Sequence, residues 1–244
     1  VDTPTPTAEQ VLVEVHATSL NPFDSAVRAG YMKEMIPLQF PATLGGDIAG
    51  IITEIGENVS NVAVGDKVFG QANVVAGNSG AFAEFAATAA GQIATAPDNL
   101  DFDQAASLPL VGASALQALT THINLRPDQK IFIHGGSGGI GTIAIQVAKH
   151  IGAYVATTAT DDGVDIVKKL GADEVIDYKS QDFTALLKDY DAVFNTVGGD
   201  EFNKSLVVLK PGGIAVTMAG VVDEAKATEL DVTALAQSTH VTTE

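Results

Sequence analysis

The hydrophobic positions of this chain change rhythm partway along. In the first hundred residues apolar side chains alternate, or come in short β-branched bursts between turn residues. Val11 to Ala17 (VLVEVHA) alternates, with Leu12 and His16 on one face and Val13 and Val15 on the other, which predicts a half-buried strand. Ile48 to Ile55 and Lys67 to Phe69 are further strand runs bounded by Gly-Glu-Asn and Val-Gly-Asp turns, and Ser79 to Ala86 predicts one more. Asn21-Pro22-Phe23-Asp24 predicts a turn, followed by a loop through Arg28, Gly30 and Tyr31. Short strands at this density predict a compact, barrel-like unit.

Beyond it the segments lengthen. Asp101 with Gln104 predicts a capped helix start, Leu108-Pro109 interrupts that helix, and Val111 to Ile123 predicts a second one linking two domains. Strand and helix patterns then take turns. Strands are expected at Tyr154 to Thr158, Glu174 to Tyr178, Asp191 to Thr196 and Gly213 to Ala219, with a sixth at Glu229 to Leu235. Helices are expected at Gly163 to Leu170, at Gln181 to Lys188 begun by Ser180, and from a cap at Asp200 to Leu209. Thr242-Thr243-Glu244 reads as a helix start with no helix after it. Strands separated by helices of this length run parallel with right-handed crossovers, so the fold class expected is α/β, a doubly wound parallel sheet behind an N-terminal strand-rich unit.

Lys130 to Ile151 (KIFIHGGSGGIGTIAIQVAKHI) holds the densest signal. Ile131, Phe132 and Ile133 predict a buried strand, while Ile140, Ile143, Ala144, Val147, Ala148 and Ile151 share one face at helical spacing. Between them Gly136, Gly138 and Gly141 satisfy G-x-G-x-x-G. The first permits a sharp turn off the strand, the second lets backbone approach a pyrophosphate, and the third lets the helix pack on the strand. The N–H groups of the new helix would then hold the phosphates. With 24 glycines among 244 residues, the bare pattern arises by chance in roughly one such chain in five. The strand before it and the amphipathic helix after it are what point to a dinucleotide, against an ordinary glycine-rich turn.

Composition narrows the choice of partner. Asp and Glu outnumber Lys and Arg 30 to 13, a formal net charge of -17, which repels nucleic acid and anionic membranes. No cysteine is present, so disulfides, thiolate zinc sites and a cysteine nucleophile are all excluded. No apolar run approaches the roughly 20 residues that span a bilayer, and Val1 to Gln10 lacks the pattern of a signal peptide, so a cytoplasmic protein is expected. The five histidines, at 16, 122, 134, 150 and 240, do not pair at metal spacing.

The chain resembles the zinc-independent quinone oxidoreductase branch of the medium-chain dehydrogenase/reductase family. The resemblance is carried by Asn21-Pro-Phe-Asp24 with Arg28 and Gly30, Leu44-Gly-Gly-Asp-Ile-Ala-Gly50, Val64-Gly-Asp-Lys-Val68, Ser107-Leu-Pro109 and His134 to Gly141. Leu170-Gly-Ala-Asp173, Val175-Ile-Asp-Tyr178, Thr196-Val-Gly-Gly199 and Lys210-Pro-Gly-Gly213 extend it over nearly the whole chain. It implies a GroES-like β-barrel catalytic domain over 1–111, a Rossmann nucleotide-binding domain over 112–244, an active cleft between them, and a homodimer. Relatives usually carry extra strands at the start and a closing segment that returns to the catalytic domain, and this chain reads as lacking both. Zinc-dependent relatives place cysteine where Asn21 stands and Gly-His-Glu where this chain has Gly45-Gly46-Asp47, so no metal is expected.

Without a Lewis acid to stabilise an alkoxide, alcohol oxidation is the weaker expectation and hydride delivery to a quinone or other α,β-unsaturated carbonyl the stronger. The resemblance places the nicotinamide near Asn21, Asp24 and Ser114, with Tyr31 at the mouth of the cleft, and makes Asn21, Asp24 and Tyr31 the catalytic candidates. Each also has a plain structural role available: turn residue, cap and packing residue. Coenzyme contacts are expected from Ser114, Gly136, Ser137, Gly138, Gly139, Ile140, Gly141, Thr158, Tyr178, Thr196, Ala219 and Gly220. His134 and Asp47 are expected to be structural. The second strand ends in Thr157-Thr158, without the carboxylate of an NAD site, and Tyr178 stands where NADPH-using relatives have tyrosine. The lysine such relatives carry is replaced by Gly163, and Asp161 and Asp162 oppose a 2′-phosphate, so NADPH is expected with NADH left open. A catalytically silent NADPH-binding sensor or structural protein of the same fold, and a methyltransferase, are the other readings.

Overall fold

A computed structural model of the protein describes residues 1–31, 33–34 and 37–243. Two compact units are formed, one by Val1–Leu110 with His240–Glu244 and the other by Val111–Thr239.

The first unit is built on a five-stranded antiparallel sheet of β1 (Gln10–Thr18), β2 (Asp47–Ile55), β3 (Lys67–Gln71), β4 (Phe85–Ala89) and β5 (Ile93–Thr95), in the order β4-β1-β2-β3-β5. Val11, Val13, Ile48, Ile52, Val68 and Ile93 fill its core. Leu12 is buried as well as Val11 and Val13, so β1 begins covered on both faces and alternates only from Glu14 onward.

Three sequence expectations change here. The stretch after Asn21 is a helix, α1 (Pro22–Arg28), because Pro22 suits a first helical position and the Asp24 carboxylate accepts from the Asn21 N–H at 2.8 Å. The strand expected from Ser79 begins only at Phe85, since Ala81 and Phe82 give their N–H groups to the Leu44 carbonyl at 3.0 and 2.8 Å. Thr242 and Thr243 start no helix: the Thr243 N–H donates to the Gly91 carbonyl and its hydroxyl to the Ile93 carbonyl, both at 3.0 Å. Glu244 lies outside the described residues. The capped helix is α2 (Phe102–Ala106), with Asp101 and Gln104 bonding each other's backbone as expected. Pro109 opens α3 (Pro109–Leu116), where its missing N–H costs nothing, and the chain tightens no further but widens into a π turn at Gln117–His122.

The second unit holds β6 (Lys130–His134), β7 (Tyr154–Ala159), β8 (Glu174–Asp177), β9 (Tyr190–Asn195), β10 (Leu209–Thr217) and β11 (Thr233–Ala236), all parallel, in the order β11-β10-β9-β6-β7-β8. Counted from β6 this is the doubly wound order of dinucleotide folds. Helices α4 (Gly139–Ile151), α5 (Asp162–Lys169), α6 (Phe183–Leu186), α7 (Glu201–Ser205) and α8 (Glu224–Glu229) follow β6, β7, β8, β9 and β10 in turn. The apolar run of β6 serves both faces: Ile131 and Ile133 pack with Ala144, Ile145 and Val155, while Phe132 packs with Phe183, Val193 and Phe202. Each such side chain contributes about 1.5–3 kcal/mol on burial. Ile145, absent from the expected face of α4, is fully buried.

Shorter elements replace several expected ones. The helix expected over 181–188 is the single turn α6, capped by Asp182, while the Ser180 hydroxyl bonds Asp177 instead. Asp200 makes no side-chain cap, α7 ends at Ser205, and Leu209 already belongs to β10. Glu229 is the last residue of α8, capped by Asp223, so the sixth strand starts four residues later than expected, at Thr233. Among the described residues no helix is long and apolar enough to cross a membrane.

Candidate functional site

Leaving β6, the backbone turns at Gly135, whose φ of +89° lies in the left-handed region open to glycine. The turn residue is therefore the glycine before the motif, and Gly136 serves differently. A Cβ on Gly136 would fall 2.0 Å from the Thr157 hydroxyl oxygen, and one on Gly141 would fall 2.2 Å from the Gly135 carbonyl oxygen. These two contacts let α4 and β7 close on the strand end. At Gly138 the nearest atom to a Cβ would be 3.4 Å away, an ordinary contact, so packing does not demand glycine there. Gly138 precedes the first turn of α4, which carries no acidic residue. Ser137, Gly138 and Gly139 are exposed and Ile140 is half-buried, so the unpaired N–H groups and positive dipole end of a 13-residue helix face outward. A bare, positive cradle of this form fits a pyrophosphate.

The other expected coenzyme residues differ in what holds them. The Thr158 hydroxyl accepts from the Gly135 N–H at 2.9 Å, and the Thr157 hydroxyl donates to the Ile133 carbonyl at 2.6 Å. Both are buried, so these side chains brace the turn. Thr196 braces it from the residue after β9, donating to the His134 carbonyl at 2.8 Å. Ser114 is buried with its hydroxyl 2.8 Å from that of Thr239, whereas Ala219 and Gly220 are exposed beyond the end of β10. Tyr178 is half-exposed and borders a 460 Å³ cavity with His134, Gln181, Phe183, Lys204 and Lys226. The cavity opens at the carboxyl ends of β6 and β8, the edge of a doubly wound sheet where ligands bind.

His134, expected to be structural, is buried at the end of β6 beside Asn195. The Asn195 carboxamide oxygen accepts from the Gly198 N–H at 3.0 Å, so its amide nitrogen faces the His134 Nδ1 at 3.2 Å and donates to it. Burial, helped by Lys204 and opposed by Glu201, holds the imidazole below its ordinary range and keeps it neutral.

In the first unit the structure brings Asn21 and Asp24 together and leaves Tyr31 apart. Asp47, fully buried at the start of β2, gathers four donors: Ser19 Oγ at 2.7 Å and Asn21 Nδ2 at 2.8 Å on one oxygen, Gln71 Nε2 at 2.9 Å and the Leu110 N–H at 3.2 Å on the other. Because a carboxylate only accepts, the Asn21 amide nitrogen must face it, and the second amide proton goes to Ser19 Oγ at 3.2 Å. Burial pushes the Asp47 carboxyl above its ordinary range against these hydrogen bonds, and burial likewise raises Asp24. Tyr31 is 84% exposed, and its hydroxyl has no partner among the described residues. A 540 Å³ cavity in this unit, bordered by Val1, Thr43, Asn78, Ser79 and Phe85, includes none of the three.

Sequence reasoning missed Ser19 and Gln71, which carry no signal because strand pairing alone brings them to Asp47. It missed Gly135 as the turn residue, although the Gly-Gly doublet displayed it. It also missed Lys179, whose ammonium lies 2.5 Å from Asp161. Among the described residues no group of three or more His, Cys, Asp or Glu is placed to hold a metal.

Family profiles match in two parts: "Alcohol dehydrogenase GroES-like domain" over residues 7–98 and "Zinc-binding dehydrogenase" over residues 139–243. The chain is 37% identical over 212 residues to the chloroplast envelope quinone oxidoreductase homolog of Arabidopsis thaliana, covering 83% of this chain and 64% of that protein. It is 35% identical over 221 residues to the chloroplastic NADPH-dependent alkenal/one oxidoreductase of the same plant, covering 88% of this chain and 56% of the other. The chain thus spans less than two thirds of the length of both. The solved quinone oxidoreductase of Coxiella burnetii superposes with a TM-score of 0.89 at 34% identity, over 99% of this chain and 77% of that one. A GroES-like antiparallel unit, a Rossmann sheet with its glycine cradle, and these similarities agree: the chain belongs to the quinone oxidoreductase branch of the medium-chain dehydrogenase/reductase family.

Proposed function

We propose that the protein transfers a hydride from NADPH to a quinone or another α,β-unsaturated carbonyl, without a metal. The observation that carries this is the β6–α4 turn, whose exposed Ser137 to Gly139 segment presents a bare helix N-terminus while Gly136 and Gly141 admit no side chain. The names of the relatives, one a quinone oxidoreductase homolog and one an NADPH-dependent alkenal/one oxidoreductase, support the acceptor class and the coenzyme.

The coenzyme supplies the hydride, and the protein supplies position and a donor for the acceptor oxygen that gains charge. Gly138, Gly139, Ile140 and the N–H groups of α4 would hold the pyrophosphate, with Thr157, Thr158 and Thr196 keeping the turn in shape. Tyr178 borders the cavity at the strand ends, and Ser114, Ala219 and Gly220 complete the coenzyme set. Of the three catalytic candidates, Asn21 has spent both amide protons on Asp47 and Ser19, and Asp24 is an acceptor engaged in capping. Both shape the site. Tyr31, whose hydroxyl has no partner among the described residues, is the donor for the developing oxyanion. Metal-free chemistry is supported by the Asp47 donor set: four neutral donors fill the four lone-pair positions of the carboxylate and leave none for a cation. A homodimer in the cytoplasm completes the reading, to be checked by sedimentation and fractionation.

The experiment is a screen of quinones, enals and enones for NADPH oxidation by the whole protein, with Tyr31→Phe alongside. Turnover on at least one acceptor is expected, and a fall in kcat of about 100-fold in the variant, the usual cost of removing an oxyanion donor. NADPH binding without turnover on any acceptor would favour the silent sensor instead.

A further inference from the structure

In a doubly wound fold the adenosine ribose is met at the carboxyl end of the second strand, here β7. A carboxylate there suits the free 2′-hydroxyl of NADH, and a cation suits the 2′-phosphate of NADPH. This chain has one of each, bound to one another. Thr157 and Thr158 are consumed by the turn and the Thr160 hydroxyl is engaged by Asp177, so the first available side chain past the strand is Asp161, held at a φ of +50°. Its Oδ2 accepts from Lys179 Nζ at 2.5 Å, and the two side chains are 71% and 58% exposed.

Lys179 arrives from the loop after β8, directly behind the half-exposed ring of Tyr178. That loop is stiffened by Asp177, whose carboxylate accepts from the Lys179 N–H and the Ser180 hydroxyl, each at 3.0 Å, and from Thr160. The ends of β7 and β8 are therefore tied together, and the base of the lysine is fixed while its ammonium reaches across. A side chain at Gly163 cannot take the same place, because a Cβ there would lie 2.9 Å from the Ser137 Cβ. Lys168 and Lys169 sit in the last turn of α5, which runs away from this edge. Lys204, beside the cavity that Tyr178 borders, is already paired with Glu201.

We propose that the Asp161–Lys179 pair is the coenzyme selector of this protein: Lys179 takes the 2′-phosphate of NADPH, Asp161 takes the ribose hydroxyls of NADH, and either coenzyme opens the pair. An exposed ion pair holds weakly, so a ligand can replace one partner. Because Asp161 and Asp177 both stand beside Lys179, preference for NADPH is modest and declines with added salt.

This inference rests on the dinucleotide reading above, and binding experiments separate the two. Calorimetric titrations with 2′,5′-ADP, 5′-AMP, NADPH and NADH would be run on the wild type, Lys179→Ala, Asp161→Asn and the control Lys168→Ala. Lys179→Ala is expected to weaken 2′,5′-ADP and NADPH about tenfold, the scale of one charge-assisted contact, while 5′-AMP and NADH stay within about twofold. Asp161→Asn is expected to shift the ratio the other way, favouring the phosphorylated ligands, and Lys168→Ala to leave it unchanged. A Lys179→Ala protein with an unaltered NADPH to NADH ratio, or one that loses all four ligands equally, overturns the selector. A wild type that binds none of the four overturns the dinucleotide reading itself.

Discussion

Replacing Gly136 with alanine, and Gly138 with alanine beside it, separates the two duties that one motif combines. The new methyl at 136 would sit 2.0 Å from Thr157 Oγ1 and 3.0 Å from both Thr157 Cβ and Ile145 Cδ1. Thr157 and Ile145 are completely buried, and the threonine cannot rotate away without giving up its 2.6 Å hydrogen bond to the Ile133 carbonyl. Overpacking of this kind costs about 1–3 kcal/mol, and the lost hydrogen bond about 1 kcal/mol more. The sum, roughly 2–4 kcal/mol, lowers the unfolding midpoint by roughly 5–15 °C. At 138 the same methyl meets nothing closer than 3.4 Å, so stability should change by no more than ~0.5 kcal/mol. Its effect falls on the ligand, with NADPH affinity reduced about tenfold or more where backbone must approach the pyrophosphate. Far-UV circular dichroism during denaturation and NADPH titration give the two readouts. Adding Thr157→Ala to Gly136→Ala removes the closest contact, and the double-mutant cycle should show coupling above ~1 kcal/mol. A Gly136→Ala protein as stable as the wild type, or a strictly additive cycle, would refute the packing argument.

Asp47→Ala strands four donors in a buried site and should cost about 3 kcal/mol, with Asp47→Asn losing less because one oxygen still accepts. Since burial raises the Asp47 carboxyl above 3.8, the native protein keeps its proton to higher pH than the unfolded chain. Its contribution is full below that ordinary value and is lost as pH rises through the raised one, so the stability difference between wild type and Asp47→Asn should widen on acidification. A pH-independent difference in denaturation midpoint would remove that assignment. His134 has the opposite sign: its lowered value means stability present above pH 6.5 that is lost as pH falls toward the folded value. His134→Gln should flatten this acid limb, and an unchanged limb would assign it to another group.

Much of the architecture was legible from local pattern. The change from short alternating runs to longer segments around Asp101 announced the two units, and the strand and helix alternation after Lys130 implied the parallel sheet. The Asp101 and Gln104 pair marked α2 because a capping box lies within four residues. Helices α1 and α8 escaped notice, being seven and six residues long and thus too short to display a period. At the site, the glycine turn was visible, while the functions of its glycines were partly reassigned, with Gly135 rather than Gly136 making the left-handed turn.

What the sequence determines by itself is whatever can be written within one or two turns of chain: periodic burial, caps and glycines where backbones cross, together with the thiol chemistry excluded by having no cysteine. Only the tertiary structure decides which distant polar groups meet. Ser19, Asn21 and Gln71 lie 24 to 28 residues from the carboxylate they share, and Lys179 lies 18 from Asp161. Such contacts depend on strand register and on the order of strands in a sheet, and a hydrogen bond is satisfied or lost over less than an ångström, a precision that no pattern of hydrophobic spacing records.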